Sequence, residues 1–181
     1  MKTILKQLLF LPIAIYAFWL IFKYEYHLID HFNLVIHEAG HIVFGFFGEL
    51  IHFLGGTLLQ LIMPLAIAYT FYRQKDRFEM YVSLIWFGES MMYMAVYMDD
   101  AIKQKLPLVG GGQHDWTYLF GKAGVLEHCE SIASFFHLVA SILILFMLYK
   151  LFLEAFSSQT SQGDSNDNLP PPRRSQSQQK S

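Results

Sequence analysis

Apolar residues run in long blocks along this chain, and polar residues gather in the short intervals between them. The first block covers 8–22, preceded by Lys2 and Lys6 and followed by a polar connection over 23–30. A second covers 32–54, with Gly55-Gly56 expected to break it. A third, 57–72, is short for a crossing and contains Pro64, so a kink or a re-entrant turn is expected there. After a charged turn at 73–79 comes a fourth block, 80–98. A loop at 99–115, a short interfacial helix at 116–126 and a last block at 132–153 complete the order. A helix needs about 20 apolar residues to cross a bilayer, and the long blocks approach that length. The pattern predicts an all-α, multi-pass membrane helical bundle of four to five apolar segments, one of them re-entrant. No small-x-small cleavage site follows the first block, so it is read as a retained helix rather than a signal peptide.

Residues 157–181 depart from this pattern. They are rich in Ser, Gln, Asn, Asp and Pro, with Pro170-Pro171-Pro172-Arg173-Arg174 among them. Such a segment cannot bury enough apolar surface to fold alone. The chain therefore divides into a helical membrane domain, 1–156, and a disordered polar tail, 157–181.

Composition sharpens the picture. Of 181 residues, 54% are hydrophobic and 15% charged, against about 25% charged in soluble domains. The expected surroundings are a lipid bilayer. A net charge of -2 carries no nucleic-acid footprint. The single cysteine, Cys129, excludes an intrachain disulfide and leaves the redox compartment open. Alternating spans place Lys2, Lys6, Lys103, Lys105 and Lys122 on one side and Lys23, Arg73, Lys75, Arg77 and Lys150 on the other. That balance does not set the orientation; only Arg173, Arg174 and Lys180 tilt it towards a cytoplasmic tail. Which membrane and which oligomeric state stay open.

The second block holds the sequence His37-Glu38-Ala39-Gly40-His41, an H-E-x-x-H pattern. Residues four apart share a helix face, so two imidazoles can bind one Zn²⁺, and Glu38 projects to its edge as a proton acceptor. An unpaired ionisable group inside a span costs several kcal/mol, which makes it a functional candidate by default. On one continuous helix His37, His41, Gly45, Gly48 and His52 share a narrow face, with Gly45 and Gly48 leaving room for a substrate segment.

A catalytic zinc needs a third protein ligand and an open position. The foremost source is Gln113-His114-Asp115-Trp116, after three glycines that allow the 106–115 loop to turn back towards the helix. Either His114 binds while Asp115 caps the following helix and orients it, or Asp115 binds. Glu89, mid-block in Gly88-Glu89-Ser90, is the next candidate; its alternative is a hydrogen bond to a tyrosine or serine. Glu49 lies too far along the helix for the same ion and suits proton steering or substrate binding. Asp99 and Asp100 read as solvated helix-end residues, and His27 and His31 as a solvated pair rather than a second metal site. His52, His128 and His137 read as interfacial or hydrogen-bonded, and Met91-Met92-Tyr93-Met94 as lipid-facing and packing surface.

With H-E-x-x-H inside an apolar block and a later polar motif on a separate segment, the chain resembles the site-2 protease class of intramembrane metalloproteases. The resemblance implies zinc on His37 and His41, Glu38 as general base, and hydrolysis of peptide or membrane-protein substrates in or near the bilayer. It covers about one helix. The Asn/Leu-x-Asp-Gly setting of that class is absent, and His114-Asp115-Trp116 stands in its place by analogy; no PDZ-like insertion is present. Two other readings compete. One is a non-proteolytic membrane metal protein, either an iron oxygenase, although the H-x-x-H-H cluster of the desaturase type is missing, or a metal transporter. The other is a structural or sensor protein whose histidines serve polar packing.

Overall fold

A computed structural model describes residues 3–109 and 112–157. The polar tail expected at 157–181 lies outside the described residues except for Ser157, as does Gly110-Gly111. The described residues are helical without strands: α1 (Thr3–Lys23), α2 (Leu28–Phe44), α3 (Glu49–Gln74), α4 (Arg77–Lys103), α5 (Asp115–Ala123) and α6 (Cys129–Phe156). Short 3-10 turns at Gly45–Phe47 and Leu126–His128 lead into α3 and α6.

Among the described residues three stretches are long and apolar enough to cross a membrane: Ile4–Lys23, Glu49–Gln74 and Leu126–Phe156. Their outward faces are apolar, with Leu8, Leu11, Ile15, Ile62, Leu65, Phe135, Leu138 and Ile142 all exposed. A soluble surface rarely carries so much contiguous apolar area.

Two further helices, α2 and α4, fall outside those three stretches. The motif helix does not run through 32–54. It ends at Phe44, and Gly48, with φ 97°, turns the chain back into α3. Such a backbone conformation is easy only for glycine. At 17 residues, α2 is at the lower limit of length for a crossing. The fourth block is long, but α4 is the centre of the bundle. It packs against α1, α2, α3, α5 and α6 and buries Ser83, Glu89, Ser90 and Asp100 along with Met91, Met92, Met94 and Met98. Met91, Met92 and Met94 are core residues, not the lipid-facing surface expected in part for them.

Gly55-Gly56 does not break a helix either. It lies inside α3, which runs unbroken for 26 residues with Pro64 within it, about 39 Å at 1.5 Å per residue. Neither a re-entrant turn nor a helix end occurs there. The glycines serve a close crossing of α2 and α3 instead. A Cβ on Gly40 would stand 2.3 Å from the Gly55 carbonyl oxygen, and one on Gly55 would stand 2.8 Å from the Gly40 oxygen. On the other side of α4 the packing is conventionally apolar: Ala17, Leu20, Ile85, Met92, Ile144 and Leu151 form one buried cluster from α1, α4 and α6. The bundle thus has an apolar half, α1–α4–α6, and a half with buried polar residues, α2–α3–α4.

Candidate metal centre

The crossing of α2 and α3 places both motif histidines inside the polar half. His37 is buried and His41 partly so. The α4–α5 connection reaches them from a separate direction. Asp100, buried near the end of α4, accepts from the backbone N–H groups of Lys105 and Leu106 at 2.8 and 2.9 Å. This fixes where the loop leaves the helix. Thr117 anchors α5 to α4 by donating its hydroxyl proton to the Ala101 carbonyl. Asp115, the first residue of α5, is thereby delivered to the histidines, with its backbone N–H 3.4 Å from the Tyr97 hydroxyl.

The convergence is close. His37 Nε2 lies 2.8 Å and His41 Nε2 3.3 Å from the same oxygen, Asp115 Oδ2. Ligand atoms on a tetrahedral zinc with bonds of about 2.0–2.1 Å stand about 3.3 Å apart; the three ligand atoms here lie within 4.8 Å of one another, the His41 pair at that spacing and the His37 pair closer. His41 Nδ1 lies 2.8 Å from the His52 carbonyl oxygen. A carbonyl only accepts, so Nδ1 carries a hydrogen and Nε2 is the nitrogen that faces Asp115. Burial alone would raise the Asp115 carboxyl, but the hydrogen bonds and charge of the neighbouring His37 and His41 imidazoles together hold it below the usual aspartate value. The residue is therefore a carboxylate, as a ligand must be.

Glu38 stands between two adjoining cavities. One, of about 450 Å³, is lined by Tyr24, Tyr26, Leu34, Tyr93 and Val96 and reaches His37. The other, of about 400 Å³, reaches His41, His52, Gln113 and Asp115. Glu38, Tyr97, Leu108 and Val109 line both. The 106–109 segment thus covers the site rather than passing it by. A substrate carbonyl placed at the histidines would have a carboxylate beside it and an apolar chamber next to that.

Of the two arrangements expected for His114 and Asp115, the geometry matches the one with Asp115 at the histidines. His114 is the N-cap of α5: its Nδ1 accepts from the Thr117 N–H at 3.4 Å. With the Nδ1 lone pair engaged, Nε2 carries the hydrogen and faces Asp100 at 3.7 Å, beyond hydrogen-bond reach. Burial pushes the imidazole below the usual histidine value against the opposing pull of Asp100 and Asp115. A neutral ring with its lone pair spent on a helix end is not available to a metal. Asp100 itself is buried, not solvated as expected, whereas Asp99 pairs with Lys103 at 2.8 Å on the surface.

The remaining candidates lie elsewhere. Gly45 and Gly48 belong to the α2–α3 turn and line neither of these two cavities. Glu49 opens α3 and is exposed. His52 is on α3, where its Nδ1 lies 3.2 Å from the His41 carbonyl oxygen. Glu89 joins a second group with His27 and Asp30, whose potential ligand atoms lie within 4.8 Å of one another. His27 is therefore part of a buried cluster, while His31 is exposed, so the expected solvated pair is split.

The chain matches no protein-family model, no curated protein and no solved structure. The sequence reading does not single out Asp30, Asn33 and Gln60, all completely or almost completely buried. Their signal is present as isolated polar residues on otherwise apolar helices, but without the partner helix nothing says what each one meets.

Proposed function

We propose that this chain is a membrane-embedded zinc metallopeptidase that hydrolyses peptide bonds in or near the bilayer, similar in chemistry to the site-2 protease class. The observation that carries this reading is the meeting of His37 Nε2, His41 Nε2 and Asp115 Oδ2 at 2.8 and 3.3 Å, with Glu38 on the wall of the cavities beside them. Two imidazoles and one carboxylate leave the fourth position that a catalytic zinc needs. Zinc bound there supplies Lewis acidity: it polarises a carbonyl and lowers the pKa of water towards about 7. His37, His41 and Asp115 hold the ion. Glu38 takes the proton that the attacking water releases and passes it to the leaving amine, so that water is added across the C–N bond. Tyr97, Leu108 and Val109 enclose the chamber and limit competing solvent.

Three long apolar helices support the membrane setting. A second reading has one specific feature in its favour: two histidines and one carboxylate are also the donor set of non-haem iron(II) oxygenases. Glu38 favours the hydrolase, because a facial iron triad does not require a proton acceptor at that place. The test is a pair of measurements on full-length protein in mild detergent. Elemental analysis is expected to find zinc, and Glu38→Gln is expected to keep it while losing about 10²–10⁴-fold in peptide hydrolysis. Stoichiometric iron, or full turnover in Glu38→Gln, contradicts the proposal.

A further inference from the structure

His41 and His37 are oriented by different means. His41 is held by a backbone carbonyl, that of His52, which no substitution removes. His37 depends on one side chain, Gln60 of α3, which is 1% exposed. The Gln60 amide nitrogen lies 2.8 Å from the Ser90 carbonyl oxygen. That oxygen only accepts, so the Gln60 NH₂ faces α4 and its amide oxygen faces the other way, 3.3 Å from His37 Nδ1. An amide oxygen also only accepts. His37 Nδ1 must then carry a hydrogen, and Nε2, 2.8 Å from Asp115 Oδ2, is the nitrogen that an ion would take in place of that contact.

The support for this contact is built into three helices. Gly56, one turn before Gln60, leaves the space the imidazole fills: a Cβ there would stand 2.5 Å from His37 Nε2. Residues four apart share a helix face, so α3 makes room for the ring with one residue and holds it with the other. Ser90, whose carbonyl orients Gln60, also places its hydroxyl 3.3 Å from Asn33 Oδ1. Asn33 in turn donates to both oxygens of Glu89, at 2.9 and 2.8 Å. Asn33 is one turn before His37 on α2, so the network fixes α2 against α4 on either side of the ring.

We propose that Gln60 is a positioning residue that holds the His37 ring, with the Nδ1–H on the Gln60 amide oxygen and Nε2 turned to Asp115. This rests on the metallopeptidase reading for its consequence, a zinc-ready nitrogen, but its hydrogen bond can be read without metal. Two substitutions of nearly equal size separate positioning from packing. Gln60→Leu keeps the volume and removes the acceptor. Gln60→Glu keeps the acceptor and loses the donor to Ser90.

The experiment measures zinc affinity by chelator competition on full-length protein in detergent, together with exchange of the His37 Nδ1–H in ¹⁵N-histidine-labelled samples, assigned by its loss in His37→Asn. Gln60→Leu is expected to bind zinc about 10–100-fold more weakly and to lose the exchange-protected Nδ1–H. Gln60→Glu is expected to retain that proton and to bind zinc more tightly than Gln60→Leu. Wild-type affinity and a protected proton in Gln60→Leu would overturn the proposal, as would a Gln60→Glu variant that loses the proton. If wild type binds no zinc, the metallopeptidase reading fails; the protected Nδ1–H, present in wild type and absent from Gln60→Leu, still decides what Gln60 does.

Discussion

Two buried groups of histidine and carboxylate lie one helical turn and a few residues apart in this bundle, and they are built to opposite ends. In the first, His37, His41 and Asp115 turn their ligand atoms towards one another beside two cavities. In the second, the atoms of His27, Asp30 and Glu89 are engaged by surrounding groups. Tyr24 donates to Asp30 at 2.5 Å, the His27 backbone N–H donates to Asp30 at 2.8 Å, and the Tyr16 hydroxyl lies 2.6 Å from His27 Nε2. Asn33 satisfies both oxygens of Glu89, and its own oxygen accepts from Trp86 at 3.0 Å. Ion-binding residue types and burial are common to both. What separates them is where the polar atoms point: the second group spends its atoms on the fold, while the first keeps three of them free of other protein partners and next to open space. A buried polar group needs partners, and the partners it has indicate what it is for.

The largest expected effect breaks the first group. His41→Ala removes one of three ligands and is expected to abolish stoichiometric zinc and hydrolysis together, read by elemental analysis and a peptide cleavage assay. Gly56→Ala attacks the same group through its packing. The new methyl collides with His37 Nε2, and overpacking of this kind costs about 1–3 kcal/mol; zinc affinity and thermal stability are both expected to fall. Glu89→Gln tests the second group. It sets an NH₂ against the Asn33 NH₂, at a cost of about 1–3 kcal/mol for an unmet buried donor. Lower thermal stability with zinc retained would sharpen the contrast, whereas loss of zinc with unchanged stability would reverse the two roles. The smallest effect is expected of His114→Ala. Loss of an N-cap costs about 0.5–2 kcal/mol, seen as a lower melting temperature, with the zinc content unchanged.

The sequence makes half of this site legible. His37, Glu38 and His41 declare themselves because spacing along one helix is a local property, and Asp115 comes into view as a polar residue behind a glycine run. What spacing does not contain is which of two adjacent residues faces the two histidines. The choice between His114 and Asp115 falls to Asp115 because the helix begins one residue earlier than the motif suggests and takes the histidine as its cap. The glycines mislead for a related reason. Gly48 and Gly55-Gly56 are alike as letters, yet Gly48 has positive φ and turns the chain, while the pair lies in regular helix and lets another backbone approach. Only the crossing partner distinguishes these uses. The fold follows the same division. Apolar length finds α1 and α6 directly and marks α4 as one more apolar block. Its central place, with Glu89, Ser90 and Asp100 facing neighbouring helices, is a property of the assembled bundle. Gln60 is the extreme case: one glutamine on an apolar helix, given meaning only by Ser90 and His37 on two other helices.

The most direct measurement is the metal content of full-length protein in mild detergent, for wild type, Asp115→Ala and His114→Ala. The predicted result is one zinc per chain in wild type and in His114→Ala, and none in Asp115→Ala. A wild type without metal, or zinc lost from His114→Ala but kept by Asp115→Ala, would contradict the assignment of His37, His41 and Asp115 as the metal centre.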